Sequence, residues 1–164
     1  MYFIDRVIKG RIMKKIMFVC HGNICRSPMA EFILRDMVET LGRGDEFEIA
    51  SSATSTEEIW NGIGNPVYPP AREELARHGL SCGGKRAIQL RADDYDKYDL
   101  FICMDERNVK NAIRILGGDQ DNKIKKLLSY AGSSRDVADP WYSGDFETTY
   151  RDICSGCKGL LELV

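Results

Sequence analysis

Cys20-His21-Gly22-Asn23-Ile24-Cys25-Arg26-Ser27-Pro28 holds a thiol and a guanidinium six positions apart in one short stretch. The apolar run Ile16-Met17-Phe18-Val19 precedes it, and a helical pattern follows at once. A cysteine there closes a strand and faces a loop of backbone N–H groups at a helix N-terminus. Such loops bind tetrahedral anions and favour the thiolate of a cysteine at their centre. Arg26 returns its planar fork to the same spot and can grip two oxygens of a phosphate at once. A cation at a helix start is otherwise disfavoured by the helix dipole, so Arg26 calls for an anionic partner. The chemistry that fits is nucleophilic attack by Cys20 on a phosphate ester, with Arg26 stabilising charge in the transition state. The Ser27 hydroxyl can donate to the thiolate, and Gly22 and Asn23 tolerate the left-handed backbone that a tight loop needs.

Ester cleavage also needs a proton for the leaving oxygen. Asp139 is the candidate general acid, although Asp139-Pro140 alone reads more readily as an ordinary turn. Trp60, Trp141 and Tyr142 lie in expected loops and could wall a slot for a phenyl ring. Cys25, in the same loop as Cys20, could act as a resolving thiol toward an oxidised Cys20, or simply pack. Cys154-Ser155-Gly156-Cys157 has the spacing of a zinc half-site. It shares a helical face with Tyr150, Ile153, Leu160 and Leu161, however, and reads as core. His78, before Gly79, reads as a helix C-terminal residue. No metal site and no cofactor are expected.

The elements that must position these groups follow from periodicity. Residues 15–20 read as a buried parallel strand. Met29, Phe32, Ile33, Met37 and Leu41 recur at helical spacing, with Ser27 expected as N-cap, Pro28 as first helical residue, and Gly42 and Gly44 ending the helix. Residues 47–51 read as a strand, 52–70 as a long loop and 71–78 as a short helix. Residues 93–98 read as a helical turn, 100–104 as a strand, 106–116 as a helix, 124–129 as a third candidate strand after the first two buried ones, and 145–163 as the final helix. Alternating strands and helices predict an α/β fold, one domain with a parallel sheet covered on both faces. Ligands of such sheets sit at the carboxyl ends of the strands, where Cys20 lies.

The chain has 164 residues, 43% hydrophobic and 29% charged, with a formal net charge of −2. That balance gives no electrostatic case for nucleic acid or for an anionic membrane surface, and no run is long and apolar enough to span a bilayer. The segment 1–12 carries Arg6, Lys9 and Arg11 but no continuous apolar stretch, so it is expected to be a loosely ordered extension rather than a signal peptide. Six cysteines without a secretory signal predict reduced thiols and a cytoplasmic protein.

From Met13 to Val164 the chain resembles the low-molecular-weight protein tyrosine phosphatases. The resemblance rests on the strand ending Phe18-Val19-Cys20, the loop to Ser27-Pro28, Arg77-His78-Gly79, Cys103-Met104-Asp105 and Asp139-Pro140-Trp141-Tyr142. It implies a Rossmann-like, open four-stranded parallel sheet and a domain over 13–164. It implies a phosphocysteine at Cys20, phosphate held by Arg26 and the loop His21, Gly22, Asn23, Ile24, Cys25 and Ser27, and Asp139 acting as acid and then as base toward water. Asp105 would support the loop. Trp60 would fall on one aromatic wall, with Trp141 and Tyr142 on the other. The implied partners are phosphotyrosine proteins made by a tyrosine kinase, acted on by a monomer, with no nucleic acid, membrane or cofactor.

Two departures concern the rim: Tyr68-Pro69-Pro70-Ala71 stands where the family often has Asp-Pro-Arg-Ala, and 57–65 is longer than usual. Three alternatives share the fold. Protein arginine phosphatases carry Thr where this chain has Ile24, a branched apolar group that favours a flat ring. Thiol-dependent arsenate reductases need a further CxxxxxxC pair, and the position seven residues after Cys103 is Lys110. A non-catalytic phosphotyrosine-binding module would have lost Cys20, Arg26 or Asp139, and all three are present.

Overall fold

The computed structural model describes residues 7–8 and 11–164. Its main sheet has four parallel strands: β1 (Lys14–Cys20), β2 (Phe47–Ala53), β3 (Leu100–Cys103) and β4 (Ile124–Lys126), in the spatial order β2-β1-β3-β4. The α-helices are α1 (Arg26–Thr40), α2 (Pro69–Arg77), α3 (Glu106–Leu116), the single turn α4 (Pro140–Ser143) and α5 (Phe146–Leu163). The expected doubly covered parallel sheet is therefore the fold. The expectation for 1–12 lies largely outside the described residues; within it, Val7–Ile8 pairs antiparallel with Arg11–Ile12.

Alternation along β1 divides the core. Ile16, Phe18 and Cys20 join the larger cluster with Met29, Ile33 and Leu34 of α1 and Ile153 and Leu160 of α5. Met17 and Val19 point the other way, to Phe101, Cys103, Ala112 and Leu116 beside α3. Both faces of the strand are buried, which explains why its sequence is an unbroken apolar run. Each such side chain contributes roughly 1.5–3 kcal/mol on burial, so the strand that ends in Cys20 is among the most firmly held parts of the molecule. The chain leaves β1 toward β2 on one side, then returns to pair β3 on the other. The crevice at the carboxyl ends of β1 and β3 is thus where strand order reverses.

Several local boundaries differ from expectation. α1 begins at Arg26 with Cys25 as N-cap, not with Ser27 as cap and Pro28 first. The Ser27 hydroxyl is taken by Cys20 and Asn23. Pro28 is tolerated because the first helical N–H groups need no helical acceptor. The helix stops at Thr40, with Gly42 in the left-handed region at φ 70°, while Gly44 opens a 3-10 turn. The strand expected over 47–51 runs on to Ala53, and α2 starts at Pro69. β4 is short because Leu127–Ala131 winds into a 3-10 turn. Inside the expected long loop, Ile59–Trp60 pairs with Ile63–Gly64 around Asn61 and Gly62, whose φ values of 49° and 76° make a hairpin turn. α5 has Asp145 as its N-cap, accepting from the Thr148 amide.

Candidate active site

The polypeptide turns at the end of β1 so that the thiol of Cys20 lies at the centre of its own loop. The amides of Asn23 and Ser27 donate to its sulfur at 3.3 and 3.4 Å, and Ser27 Oγ stands 3.0 Å away. Asn23 is the residue that makes this turn possible. Its φ is 59°, a left-handed conformation that asparagine accepts more readily than most residues. Gly22 has another reason to be glycine: a Cβ there would meet Glu58 Cγ at 3.2 Å. Cys20 is only 3% exposed, so a group that is to meet its sulfur must enter the loop itself.

Asn23 also starts a buried chain of hydrogen bonds. Its Nδ2 donates to Ser27 Oγ at 2.7 Å and to Ser51 Oγ at 2.9 Å, and its Oδ1 accepts from the Ile88 amide at 3.0 Å. Ser51 donates onward to Glu31 at 2.6 Å. Because Ser27 oxygen already accepts from the amide, its own hydrogen is free to point at sulfur. Glu31 is buried but paired with Arg35 at 2.7 Å and Lys85 at 3.5 Å. Burial lowers the pKa of Lys85 in spite of Glu31. Ser51→Ala should leave the Glu31 carboxylate without its hydroxyl donor and one of the two Asn23 Nδ2 hydrogens without an acceptor. The expected cost is about 1–3 kcal/mol of stability, read as a lower urea midpoint with unchanged slope.

Arg26 is 3% exposed and pulled in from the far side. Its Nη1 donates to Asp105 Oδ2 and to the Val137 carbonyl, both at 2.8 Å. Its Nη2 is 3.5 Å from Asp139 Oδ2. Burial works against its charge, but Cys20, Asp105 and Asp139 outweigh it and hold the guanidinium above its ordinary range. Asp105 is fixed in turn as the N-cap of α3, accepting from the Asn108 amide at 2.7 Å. The supporting place expected for Asp105 is thus a direct ion pair with Arg26.

Asp139 caps α4. Its Oδ1 accepts from the Trp141 amide at 3.0 Å, leaving Oδ2 toward Arg26. Around these groups lies a pocket of about 310 Å³ lined by Cys20, His21, Gly22, Ile24, Cys25, Arg26 and Asp139. Trp141 and Tyr142 form part of its wall, 54% and 85% exposed. Trp60 does not line it; the residue sits on the small hairpin, 73% exposed. Glu57, Glu58 and Arg107 do line it, three residues that the motifs did not point to. His21 at the rim pairs with Glu57 at 3.0 Å. Cys25 is buried beside the pocket, and burial followed by the Cys20 charge pushes its thiol far up, so it stays protonated. His78 sits at the end of α2, stacked on Tyr150 with ring centroids 3.6 Å apart and held to Glu74 at 2.9 Å, and is no part of the pocket. Cys157 is fully buried in the core and Cys154 packs against it.

Three features converge here: a thiol in an amide cradle, a buried guanidinium and a carboxyl at the mouth. Residues 15–164 match the family model described as low molecular weight phosphotyrosine protein phosphatase. The low molecular weight protein-tyrosine-phosphatase YfkJ of Bacillus subtilis is 39% identical over 151 residues, 91% of this chain and 94% of that protein. Its crystal structure superposes with a TM-score of 0.85, covering 92% of this chain and 93% of that one. A low molecular weight phosphotyrosine protein phosphatase of Gallus gallus is 36% identical over 92% of this chain and 95% of its own. The crystal structure of a Drosophila arginine phosphatase is also similar, with a TM-score of 0.79 and 26% identity over 92% of this chain and 96% of that one.

Proposed function

The chain belongs to the low molecular weight phosphotyrosine protein phosphatase family, and from that premise we propose that Cys20, Arg26 and Asp139 carry out the hydrolysis through a phosphocysteine intermediate. The observation that carries this reading is the convergence of the Asn23 and Ser27 amides and the Ser27 hydroxyl on one sulfur. These three donors fix the position of the sulfur that would attack phosphorus.

The phosphoryl group sits in the loop, its oxygens against the loop amides and the Arg26 fork. As the Cys20 sulfur bonds to phosphorus, the bond to the phenolic oxygen breaks opposite it, and Asp139 delivers a proton to that oxygen. Ionised Asp139 then removes a proton from water, whose oxygen attacks phosphorus and releases Cys20. Arg26, held by Asp105 and the Val137 carbonyl before substrate arrives, stabilises charge without reorganising. His21, Gly22, Ile24 and Cys25 form the rest of the cradle, and Trp141 and Tyr142 offer their rings to the phenyl group. Trp60 is available to the protein part of the substrate from its exposed hairpin.

Ile24 on the pocket wall favours a flat ring over a guanidinium. Matched peptides with phosphotyrosine or phosphoarginine at one position, assayed in EDTA and reductant, test this. Phosphotyrosine is expected to turn over at least tenfold faster, about the 1.4 kcal/mol that one pocket group of this size supplies. A preference for phosphoarginine would keep the cysteine chemistry and overturn the substrate. No helix among the described residues is long and apolar enough to cross a membrane. A monomer working in the cytoplasm on proteins phosphorylated by a tyrosine kinase is the setting this chemistry fits, since the thiol must stay reduced.

A further inference from the structure

A second groove, about 500 Å³, opens beside the catalytic pocket, between α2 and the segment 140–147. Trp141 is common to both: it walls the catalytic pocket and the groove alike. Aromatic rings form the groove's floor. Tyr68 lies 4.8 Å from Trp141 and 6.2 Å from Phe146, centroid to centroid, both tilted. Carboxylates line it too: Glu73 and Glu74 from α2, and Asp145 and Glu147 from the N-cap and first turn of α5. Only Arg77 opposes them among the lining residues.

The partners of these carboxylates matter to the balance. Glu74 is buried and taken by Arg77 and His78. Glu147 pairs with Arg151 on its own helix. Asp145 accepts from Thr148, whose hydroxyl and amide hold its carboxyl below the usual range, so it stays charged. Glu73 is exposed and has no ion-pair partner among the described residues. The groove thus retains a surplus of negative charge over an aromatic floor. That pairing suits a guanidinium or an ammonium, which stacks on the rings and meets carboxylates at its edge. An acidic side chain would be repelled there, so the surface selects both for and against.

We propose that this groove is a substrate subsite for a basic side chain, arginine or lysine, close in sequence to the phosphotyrosine. The proposal rests on the phosphatase reading above. An extended chain advances roughly 3.3–3.6 Å per residue, so a residue a few positions from the phosphotyrosine passes the single indole that separates the two cavities. The preference is for charge within a short reach of the phosphate, not for one sequence.

The test uses phosphotyrosine peptides that differ only in one arginine or glutamate, placed one to four residues to either side. In the wild-type protein at low ionic strength, kcat/KM for the arginine peptide should exceed that for the glutamate peptide by roughly fivefold or more at one or two positions, as expected for exposed ion pairs acting together. The ratio should shrink as salt screens the carboxylates. The double variant Glu73→Lys, Glu147→Lys changes two exposed side chains and should bring the ratio to one or invert it. Equal turnover of both peptides at every position, or a ratio untouched by the double variant, overturns the subsite and leaves the phosphatase reading standing. Failure to hydrolyse any phosphotyrosine peptide, or a simple aryl phosphate, overturns both.

Discussion

Cys20→Ser is expected to abolish turnover of aryl phosphates, by a factor on the order of 10⁴–10⁶, while the protein still binds phosphate anions. The reason is local. The sulfur sits amid two amides and a hydroxyl at the centre of its loop. A serine oxygen placed there keeps its proton at neutral pH and lacks a base to remove it. Cys20 is buried at the end of β1, and serine is smaller and accepts the same donors, so the fold should survive. Two measurements separate loss of chemistry from loss of structure: steady-state turnover, and competitive binding of an aryl phosphonate. In the unaltered protein, acid quench during turnover should recover one phosphoryl group on the peptide holding Cys20. Phosphate found on another residue, or activity retained within a hundredfold in the variant, would move the nucleophile elsewhere.

Asp139→Asn is expected to lower kcat on phosphotyrosine by roughly 10²–10⁴, the range of a lost general acid. Asparagine is the informative choice because it keeps an oxygen to accept from the Trp141 amide, so the start of α4 is preserved. Alanine would remove the cap and the acid together. The loss should be smaller for substrates whose leaving group is already a good anion, such as a nitrophenolate, and larger for phosphotyrosine. A series of phenyl phosphates of increasing leaving-group basicity reads this as a steeper dependence in the variant than in the wild type. A loss under tenfold on phosphotyrosine, with no steepening, would assign the proton to another group.

The sequence made the proposed nucleophile legible because everything that defines it is local. The strand, the loop and the helix start lie within residues 14–28, and their order alone places a thiol among amides. The unbroken apolar run of β1, and the alternation of strands with helices along the chain, likewise predict a sheet buried on both faces, as found. Asp139 was legible only through its resemblance to a family, since an Asp-Pro pair has commoner uses. The supports were hidden by distance along the chain. Ser51 reaches Asn23 because β1 and β2 pair in a register that sets Phe18 opposite Ser51. No spacing rule connects residues so placed. Glu31 and Lys85 look like surface charges until the sheet and loops close over them. The hairpin at 59–64 is a different case: Asn61-Gly62 between apolar residues carries the signal for a tight turn, but it is embedded in a segment so rich in glycine and proline that a plain loop is the easier reading. Ser27 misled for a physical reason, since a serine before a proline suits a cap, and here its hydroxyl serves the sulfur instead.

Arg26 is tied to Asp105, the Val137 carbonyl and Asp139, all from the later part of the chain. The consequence concerns timing during synthesis. A nascent chain that has exposed residues 14–40 already owns the motif, with its cysteine and arginine, yet none of the three acceptors that aim the arginine. A chain ended before residue 137 would still lack two of those three. Competence therefore arrives late and all together, when the last helix packs across α1 and the loop after β4 closes on the guanidinium. A fragment that ends before residue 105 therefore carries the thiol and the arginine with none of the three acceptors that hold the guanidinium.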